Sequence, residues 1–236
     1  MSDNAHFREE WIEKILKKIP PNSKILDAGA GELSKKKYCS HLKYIAQDFA
    51  QYDGKGDGKS LQTSTWDQTK LDIISDITAI PVADASFAMC VEVFEHLPDP
   101  LAALRELSRI VRPGGFLILT APFCSLAHFT PYHFATGFNR YWYEKHLPEQ
   151  GFEIIELIAN GNFFSYMYQE LNRIPDISTR YNLPSLNFIE KIAQKILTRY
   201  LAKNITRAIT TNEVLCFGYQ VFARKKNIYE GNNQEN

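Results

Sequence analysis

The sequence predicts a doubly wound α/β fold whose sheet is mostly parallel. Short apolar segments alternate with amphipathic or polar stretches between residues 24 and 122, and strands that alternate with helices build a parallel sheet with helices on both faces. Later in the chain, two apolar segments are separated by a long insertion, which favours an antiparallel pair of strands at one edge. Because such sheets bind ligands at the carboxyl ends of their strands, we expect the functional residues there.

The amino-terminal half is predicted to begin with an amphipathic helix over residues 7–19, which ends at Pro20. Polar residues from Glu32 onward predict another helix. Residues 51–60 are rich in Gly, Asp and Lys and predict a solvated surface loop. Apolar runs predict strands over residues 24–28, 43–47, 71–75 and 87–91, and Asp48 directly follows the second of them.

The carboxyl-terminal half is predicted to supply the last three strands and a helical insertion. A helix over residues 99–111 is ended by the Pro and Gly residues at 113–115, and a helix over 140–150 by Gly151. The insertion covers residues 160–212, and residues 226–236 are expected to form a flexible tail. Strands over residues 116–121, 152–159 and 214–224 complete a sheet of seven strands.

Composition excludes several classes of protein. The 27 Lys and Arg residues balance the 27 Asp and Glu residues, whereas a nucleic-acid-binding protein usually carries a basic excess. No stretch of about 20 apolar residues could span a bilayer, and the amino-terminal segment is acidic and amphipathic, so we expect a cytoplasmic protein. The four cysteines, which form no CxxC pair, are expected to be buried inert thiols.

A glycine turn follows the first strand. Residues 25–31 read Ile-Leu-Asp-Ala-Gly-Ala-Gly, so that the strand delivers Asp27 and two glycines to its carboxyl end, where glycines let the backbone approach a bulky ligand. A dinucleotide fold would need a third glycine where Ser34 stands, and it does not use an acidic residue directly before the glycines. The turn therefore disfavours a dinucleotide-binding fold.

With this motif the sequence resembles the class I S-adenosylmethionine-dependent methyltransferases, specifically their small-molecule (type 11 like) group. The resemblance continues through Asp48, the Asp76-Ile77 pair, residues 91–100 and residues 107–119. It implies a Rossmann-like fold and S-adenosyl-L-methionine as cofactor, with Asp48 on the ribose hydroxyls and Asp76-Ile77 on adenine. The cofactor contacts that it implies are Asp27, Ala28, Gly29, Gly31, Asp48, Phe49, Asp76, Ile77 and Glu92.

Asp27, Asp48 and Asp76 have a simpler interpretation when taken singly, because Asp at a strand end most often caps a turn or a helix. At three successive strand ends, they are expected to form a polar rim for one ligand. Two positions depart from the family pattern. Leu33 stands where the family often has a third glycine, and Ala88 where it usually has an Asp.

The resemblance implies one methyltransferase domain over residues 1–236, with a cofactor-binding half at 21–122 and an acceptor-side region at 123–159. A hydroxyl acceptor needs a base, and His96, His128 and His133 are the candidates because imidazole titrates near neutral pH. Histidines satisfied by the backbone are the alternative. No ligand spacing among Glu92, Glu95 and these histidines predicts a metal.

Aromatic side chains concentrate between residues 129 and 143, where they either cover the acceptor or belong to the core. Residues 188–201 predict a helix with one apolar face and basic residues around it. This face covers the sheet, covers a partner subunit in a homodimer, or contacts an anionic membrane. We expect O-methylation of a small molecule, and the resemblance of residues 128–152 implies a carbohydrate or glycoconjugate acceptor. The second expectation is a quinone or lipid-like ring methylated at oxygen or carbon, for which the basic helix would contact the membrane. A non-catalytic cofactor-binding protein is the alternative from another class.

Overall fold

The computed structural model of the protein describes residues 4–227. Within this range the chain forms one seven-stranded sheet and five α-helices, with short 3-10 helices between them. The helices are α1 (Asn4–Lys17), α2 (Pro100–Ile110), α3 (Arg140–Glu149), α4 (Phe163–Arg180) and α5 (Phe188–Ile205). The strands are β1 (Lys24–Ala28), β2 (Lys43–Asp48), β3 (Ile73–Ile74), β4 (Ala85–Val91), β5 (Val111–Pro122), β6 (Phe152–Asn160) and β7 (Gly218–Lys225).

The strand order is β3-β2-β1-β4-β5-β7-β6. Strands β1 to β5 all run parallel to one another, and β7 runs antiparallel to β5. The predicted α/β fold class is therefore confirmed, with the antiparallel strand second from the edge. The chain reverses its direction of progress across the sheet between β1 and β4, which creates a crevice at their carboxyl ends, where α/β sheets bind ligands.

Burial explains why the central elements form where they do. Ile25 and Leu26 in β1 are fully buried between β2 and β4, and α1 packs Ile12 and Leu16 into the same core. Helix α2 begins sharply because the Asp99 side chain accepts a hydrogen bond from the Ala102 N–H at 2.9 Å, and Pro100 occupies the first turn.

Four elements differ from the sequence prediction, two of them only in their bounds: β5 begins at Val111 instead of residue 116, and β7 begins at Gly218 instead of residue 214. Residues from Glu32 form turns and a single 3-10 turn, Lys36–Tyr38, instead of a helix, because this segment carries no apolar stripe to pack on the sheet. The third strand is only Ile73–Ile74. Directly before this strand, the Ala46 N–H of β2 donates to the Asp72 side chain at 2.8 Å instead of to a backbone carbonyl, so the regular strand pairing does not extend to this residue. Most of the predicted tail, residues 228–236, lies outside the described range.

Two compact units make up the described chain. The larger comprises residues 8–158 and 218–227, and the smaller comprises residues 4–7 and 159–217. In the smaller unit, Asn162 and Asn187 begin α4 and α5 with capping boxes, and the Gln194 side chain of α5 donates to the Leu171 carbonyl of α4 at 2.6 Å. The predicted insertion is thus largely a pair of packed helices.

The apolar residues of α5 are mostly exposed. Phe188 and Ile189 are 78% and 76% exposed, and only Leu201 is buried among the residues of this helix. No helix within residues 4–227 combines the length and the apolar character that crossing a bilayer requires.

The packing of α1 can be tested by truncating one side chain. Ile12→Ala removes a fully buried side chain from the core cluster, so we expect the free energy of unfolding to fall by about 2–5 kcal/mol in urea denaturation. Ile155→Ala removes a side chain that is 48% exposed, and this control should cost about 1 kcal/mol. Equal losses in the two variants would contradict the packing described for α1.

Candidate active site

A cavity of about 630 Å³ opens in the larger unit at the carboxyl ends of the strands. Its walls come from the turn after β1, the segments after β2 and β3, the turn after β4 and the loop after β5. This is the position at which the topology predicts a ligand. The predicted site residues that line it are Gly29, Asp48, Phe49, Asp76, Ile77, Glu92 and His96.

The other predicted site residues lie outside the cavity lining: Asp27, Ala28, Gly31, His128 and His133. Asp27 is buried in β1 and accepts a hydrogen bond from the Tyr44 hydroxyl at 2.5 Å. Burial raises the pKa of the Asp27 carboxyl to about 6, although the hydrogen bond from Tyr44 opposes the shift. The roles in cofactor binding of the residues outside the lining stay predictions.

The turn after β1 needs glycine at position 29. Gly29 has a φ of +78°, and a Cβ atom built there would lie 2.5 Å from Cγ2 of Val93, itself a lining residue. The N–H groups of Gly29 and Ala30 both donate to the Gln47 carbonyl at 2.9 Å.

Leu33, which stands in place of the family's third glycine, has a φ of +59°, a left-handed conformation that costs a side-chain-bearing residue about 1–2 kcal/mol. The backbone at residue 33 therefore has the left-handed conformation that favours glycine, although the residue is Leu.

Asp48 is held in place by the backbone. One carboxylate oxygen accepts from the Gly31 N–H and the other from the Ala50 N–H, each at 2.9 Å. Each oxygen of an ionised carboxylate has a second lone pair, so both can still accept from a ligand hydroxyl. Asp48 is thus a fixed acceptor at the cavity wall, and Gly31 contributes to the site through it.

Asp76 lines the cavity, and one of its carboxylate oxygens is engaged in a local turn. Oδ1 accepts from both the N–H and the hydroxyl of Thr78, at 2.8 and 2.7 Å, which closes a local turn. Within residues 4–227, Oδ2 accepts no such hydrogen bond. Nearby in sequence, Ile74 lines the cavity and is 68% exposed, so it offers an apolar surface to a flat ligand.

Glu92 is clamped between α1 and β5. Its carboxylate accepts from the Arg8 guanidinium at 3.0 Å and from the Thr120 hydroxyl at 2.8 Å. Its backbone adopts a φ of +53°, which is unusual for a residue with a side chain. Because function often accounts for such strain, the turn after β4 is a candidate for precise positioning of a ligand.

Aromatic rings form one wall, and part of it was missed from the sequence. Tyr52 is buried, stacks on Phe129 at 4.8 Å and meets Trp66 edge-on at 4.9 Å. Tyr52 comes from the loop predicted to be only solvated, and that prediction is wrong at this residue. The Asp57 N–H also donates to the Thr130 carbonyl at 3.0 Å, so this loop is tied to the loop after β5.

The predicted aromatic cluster divides between its two interpretations. Phe129, Tyr132 and Phe134 line the cavity. Phe138 and Tyr143 are buried in the core instead. The core interpretation is therefore correct for Phe138 and Tyr143, whereas a role of the other rings in covering the acceptor stays a prediction.

His96 is the histidine that reaches the cavity. Its Nδ1 lies 2.5 Å from the Tyr132 carbonyl, and its ring stacks on Phe129 at 5.2 Å. Burial, together with the neighbouring His128, lowers the pKa of His96 to about 4. His128 and His133 lie behind it, with ring centroids 4.7 and 5.9 Å from that of His96.

Comparison with known proteins identifies the family to which the chain is similar. A family model described as a methyltransferase domain matches residues 3–160. The chain is 33% identical over 61 residues to a ubiquinone biosynthesis O-methyltransferase of Xanthomonas campestris, covering 26% of each chain. It is 26% identical over 127 residues to a sarcosine/dimethylglycine N-methyltransferase of Halorhodospira halochloris, covering 52% of this chain and 46% of the other. The chain thus spans between a quarter and a half of the length of these relatives.

Solved structures share the fold. A SAM-dependent methyltransferase from Archaeoglobus fulgidus matches 94% of this chain and 95% of its own with a TM-score of 0.56 at 15% identity. A putative methyltransferase from Bacillus halodurans matches with a TM-score of 0.52 at 16% identity.

The protein belongs to a family of methyltransferase domains. The predicted methyltransferase family, the predicted fold class and S-adenosyl-L-methionine as the cofactor of that family are therefore confirmed.

The glycine turn can be tested with a double-mutant cycle. Gly29→Ala should lower the free energy of unfolding by about 1–3 kcal/mol, because the left-handed backbone is strained and the new methyl group meets Val93. Val93→Ala removes the clashing methyl groups but not the backbone strain, so Gly29→Ala should cost less in that background. Denaturation of the four proteins measures the coupling, and strictly additive effects would contradict the contact.

Proposed function

We propose that the protein transfers the methyl group of S-adenosyl-L-methionine to an oxygen atom of a small-molecule acceptor. The observation that carries the proposal is that a single cavity is lined by the fixed acceptors Asp48 and Asp76 and also by His96 and an aromatic wall. Asp48 and Asp76 suit an adenosine group, because carboxylates accept hydrogen bonds from hydroxyl and amino groups. His96 and the aromatic wall suit a flat acceptor that carries a hydroxyl.

In this proposal Asp48 accepts from the two ribose hydroxyls through the lone pairs that Gly31 and Ala50 leave free. Asp76 accepts from the exocyclic amine of adenine with Oδ2, while its other oxygen closes the turn at Thr78. Gly29 lets the backbone approach the methionine part of the cofactor closely.

Methyl transfer needs positioning more than activation, because the sulfonium methyl is already electrophilic. The acceptor oxygen forms a bond to the methyl carbon as the carbon–sulfur bond breaks, and the electron pair of that bond stays on sulfur. The hydroxyl proton must leave as well. His96 is neutral at pH 7 and is held through Nδ1 by the Tyr132 carbonyl, so its Nε2 lone pair can accept a hydrogen bond from the hydroxyl. We assign the removal of the proton to the cluster of His96, His128 and His133.

The acceptor class that the observations favour is a quinone-like or other aromatic ring. The rings of Phe129 and Tyr132 line the cavity and can pack on a planar acceptor. A relative's name also specifies O-methylation in ubiquinone biosynthesis. The carbohydrate or glycoconjugate acceptor, the first expectation from the sequence, is supported only by the same rings. An amine acceptor, which the name of the second relative suggests, would not need the histidines.

Contact with a membrane surface belongs to the expectation of a quinone or lipid-like acceptor. The exposed apolar residues of α5 are accompanied by exposed basic residues, Lys191, Lys195 and Arg199. Such a helix can lie on an anionic bilayer, which would suit a lipid-like acceptor. A homodimer that covers the same face is the competing proposal, and sedimentation with and without anionic vesicles separates the two.

The cofactor contacts can be tested with matched variants. Asp76→Ala should weaken binding of S-adenosylhomocysteine by about 10-fold or more in calorimetry, because a hydrogen bond to a charged acceptor is lost. Asp67→Ala is the control, since Asp67 makes the same two contacts with Thr69, at 3.1 and 2.6 Å, outside the cavity lining. If both variants bind the ligand as the unmodified protein does, the adenine assignment is wrong.

The methyl acceptor can be sought directly. Incubation of the purified protein with S-adenosyl-L-methionine and pools of phenolic, carbohydrate or amine compounds should give a product that is heavier by one methyl group in the phenolic pool. Mass spectrometry measures the product, and heat-inactivated protein is the control. Cofactor binding without any product in these pools would favour the non-catalytic alternative.

A further inference from the structure

Three imidazoles and one carboxylate meet beside the cavity. His96, His128 and His133 each offer one ring nitrogen, and these three atoms all lie within 4.8 Å of one another. The Glu95 carboxylate joins them, with Oε1 at 3.6 Å from Nε2 of His96 and 3.9 Å from Nε2 of His128. The chain brings these residues together from the turn after β4 and the loop after β5.

The backbone fixes which nitrogen of two histidines can act as a ligand. Nδ1 of His96 lies 2.5 Å from the Tyr132 carbonyl, and Nδ1 of His128 lies 2.8 Å from the Leu126 carbonyl. A carbonyl oxygen can only accept, so in both rings Nδ1 carries the hydrogen and donates it. In the neutral rings, each Nε2 therefore keeps its lone pair. A carbonyl that orients a histidine in this way is the usual outer partner of a metal ligand.

Buried polar atoms in the cluster lack partners. Among residues 4–227, no hydrogen bond reaches either carboxylate oxygen of Glu95, Nε2 of His96 or either ring nitrogen of His133. Glu95 is only 1% exposed. Native folds rarely leave buried polar groups unsatisfied, and a bound ion is one of the recognised explanations. The pattern fits a cation site, because both oxygens of an ionised Glu95 carboxylate, Nε2 of His96 and one of the two ring nitrogens of His133 can each donate an electron pair.

We propose that His96, His128 and His133 bind a divalent transition-metal ion such as Zn²⁺, with the Glu95 carboxylate as the fourth ligand. Imidazole and carboxylate are ligands that Zn²⁺ accepts in four-coordinate sites. The nitrogen atoms of a tetrahedral site lie about 3.3 Å apart for metal–nitrogen bonds of about 2.0 Å, so the side chains close in when the ion binds. The single carboxylate offsets part of the charge of the ion.

The ligands are held on segments that the backbone links to one another. The Glu95 carbonyl accepts from the N–H groups of Phe134 and Ala135, at 2.9 and 3.2 Å. The Phe129 N–H donates to the Leu61 carbonyl at 2.9 Å, which ties the His128 segment to another loop. These links limit the movement of the ligands, as a preformed metal site requires.

The site has a consequence for the reaction, which rests on the proposed function. His96 lines the cavity, so the ion would lie next to the acceptor. The four protein ligands would fill the coordination shell and use the Nε2 lone pair of His96, so the ion would act on the acceptor through its charge alone, which favours an oxygen anion over the neutral hydroxyl. The imidazoles would serve as bases only in the metal-free form. Metal binding itself does not depend on methyl transfer. The inference departs from the expectation of no metal, which relied on spacing along the chain.

The experiment uses the full chain without a histidine tag, stripped with a chelator and dialysed. Calorimetric titration with Zn²⁺ should show one site per chain, and Mg²⁺ should bind at least about 100-fold more weakly because it avoids nitrogen ligands. His128→Ala and His133→Ala should each weaken Zn²⁺ binding at least about 10-fold. His146→Ala is the control, since His146 contacts Glu149 on α3 and belongs to no such cluster. Unchanged affinity in the first two variants overturns the site.

Folding is checked by circular dichroism of every variant. If a variant does not fold, X-ray absorption on the zinc-loaded unmodified protein decides the question. A first shell with three imidazoles supports the site, and a shell without them overturns it. Calorimetry with S-adenosylhomocysteine on the same stripped protein tests the proposed function separately. Cofactor binding without zinc binding overturns the metal site alone, whereas zinc binding without cofactor binding overturns the proposed function alone.

Discussion

Three consecutive backbone N–H groups after β1 all donate to the end of β2. Those of Gly29 and Ala30 reach the Gln47 carbonyl, and that of Gly31 reaches the Asp48 carboxylate. The hydrogen bonds hold the chain in a turn that leaves the crevice between β1 and β4 open. They also fix Asp48 without using all of its lone pairs. The shape of the cavity and the direction of its main acceptor therefore have the same cause, which is why the rest of the site depends on this turn.

The sheet was largely predictable because its signal is local. The apolar runs of β1 and β2 and the motif around Asp27 can be found in a short window, and the structure places those strands within a residue of the predicted bounds. The family pattern also located Asp48 and Asp76 at the cavity. Where the prediction of structure failed, at Glu32 and at β3, tertiary packing or a side chain decided the outcome instead of local propensity.

The missing parts of the site depend on contacts between distant segments. Tyr52 looks like one aromatic residue in a glycine-rich loop until Phe129 and Trp66 pack against it. His96 and His128 are separated by a helix and a strand, so no spacing rule could have joined them. Their meeting follows from the order of β4 and β5 in the sheet and from the path of the loop that leaves β5. Sequence alone therefore identified the residue types of this cluster but not their grouping.

The anchoring of the loop after β5 bears on how such an enzyme could change its substrate during evolution. Phe134 and Ala135 are attached to the Glu95 carbonyl through their N–H groups, a contact that every amino acid except proline can make. The loop would therefore keep its course while its side chains are exchanged. Under the proposed function, acceptor preference could diverge between descendants of this chain without rebuilding the end of the sheet that is proposed to hold the cofactor.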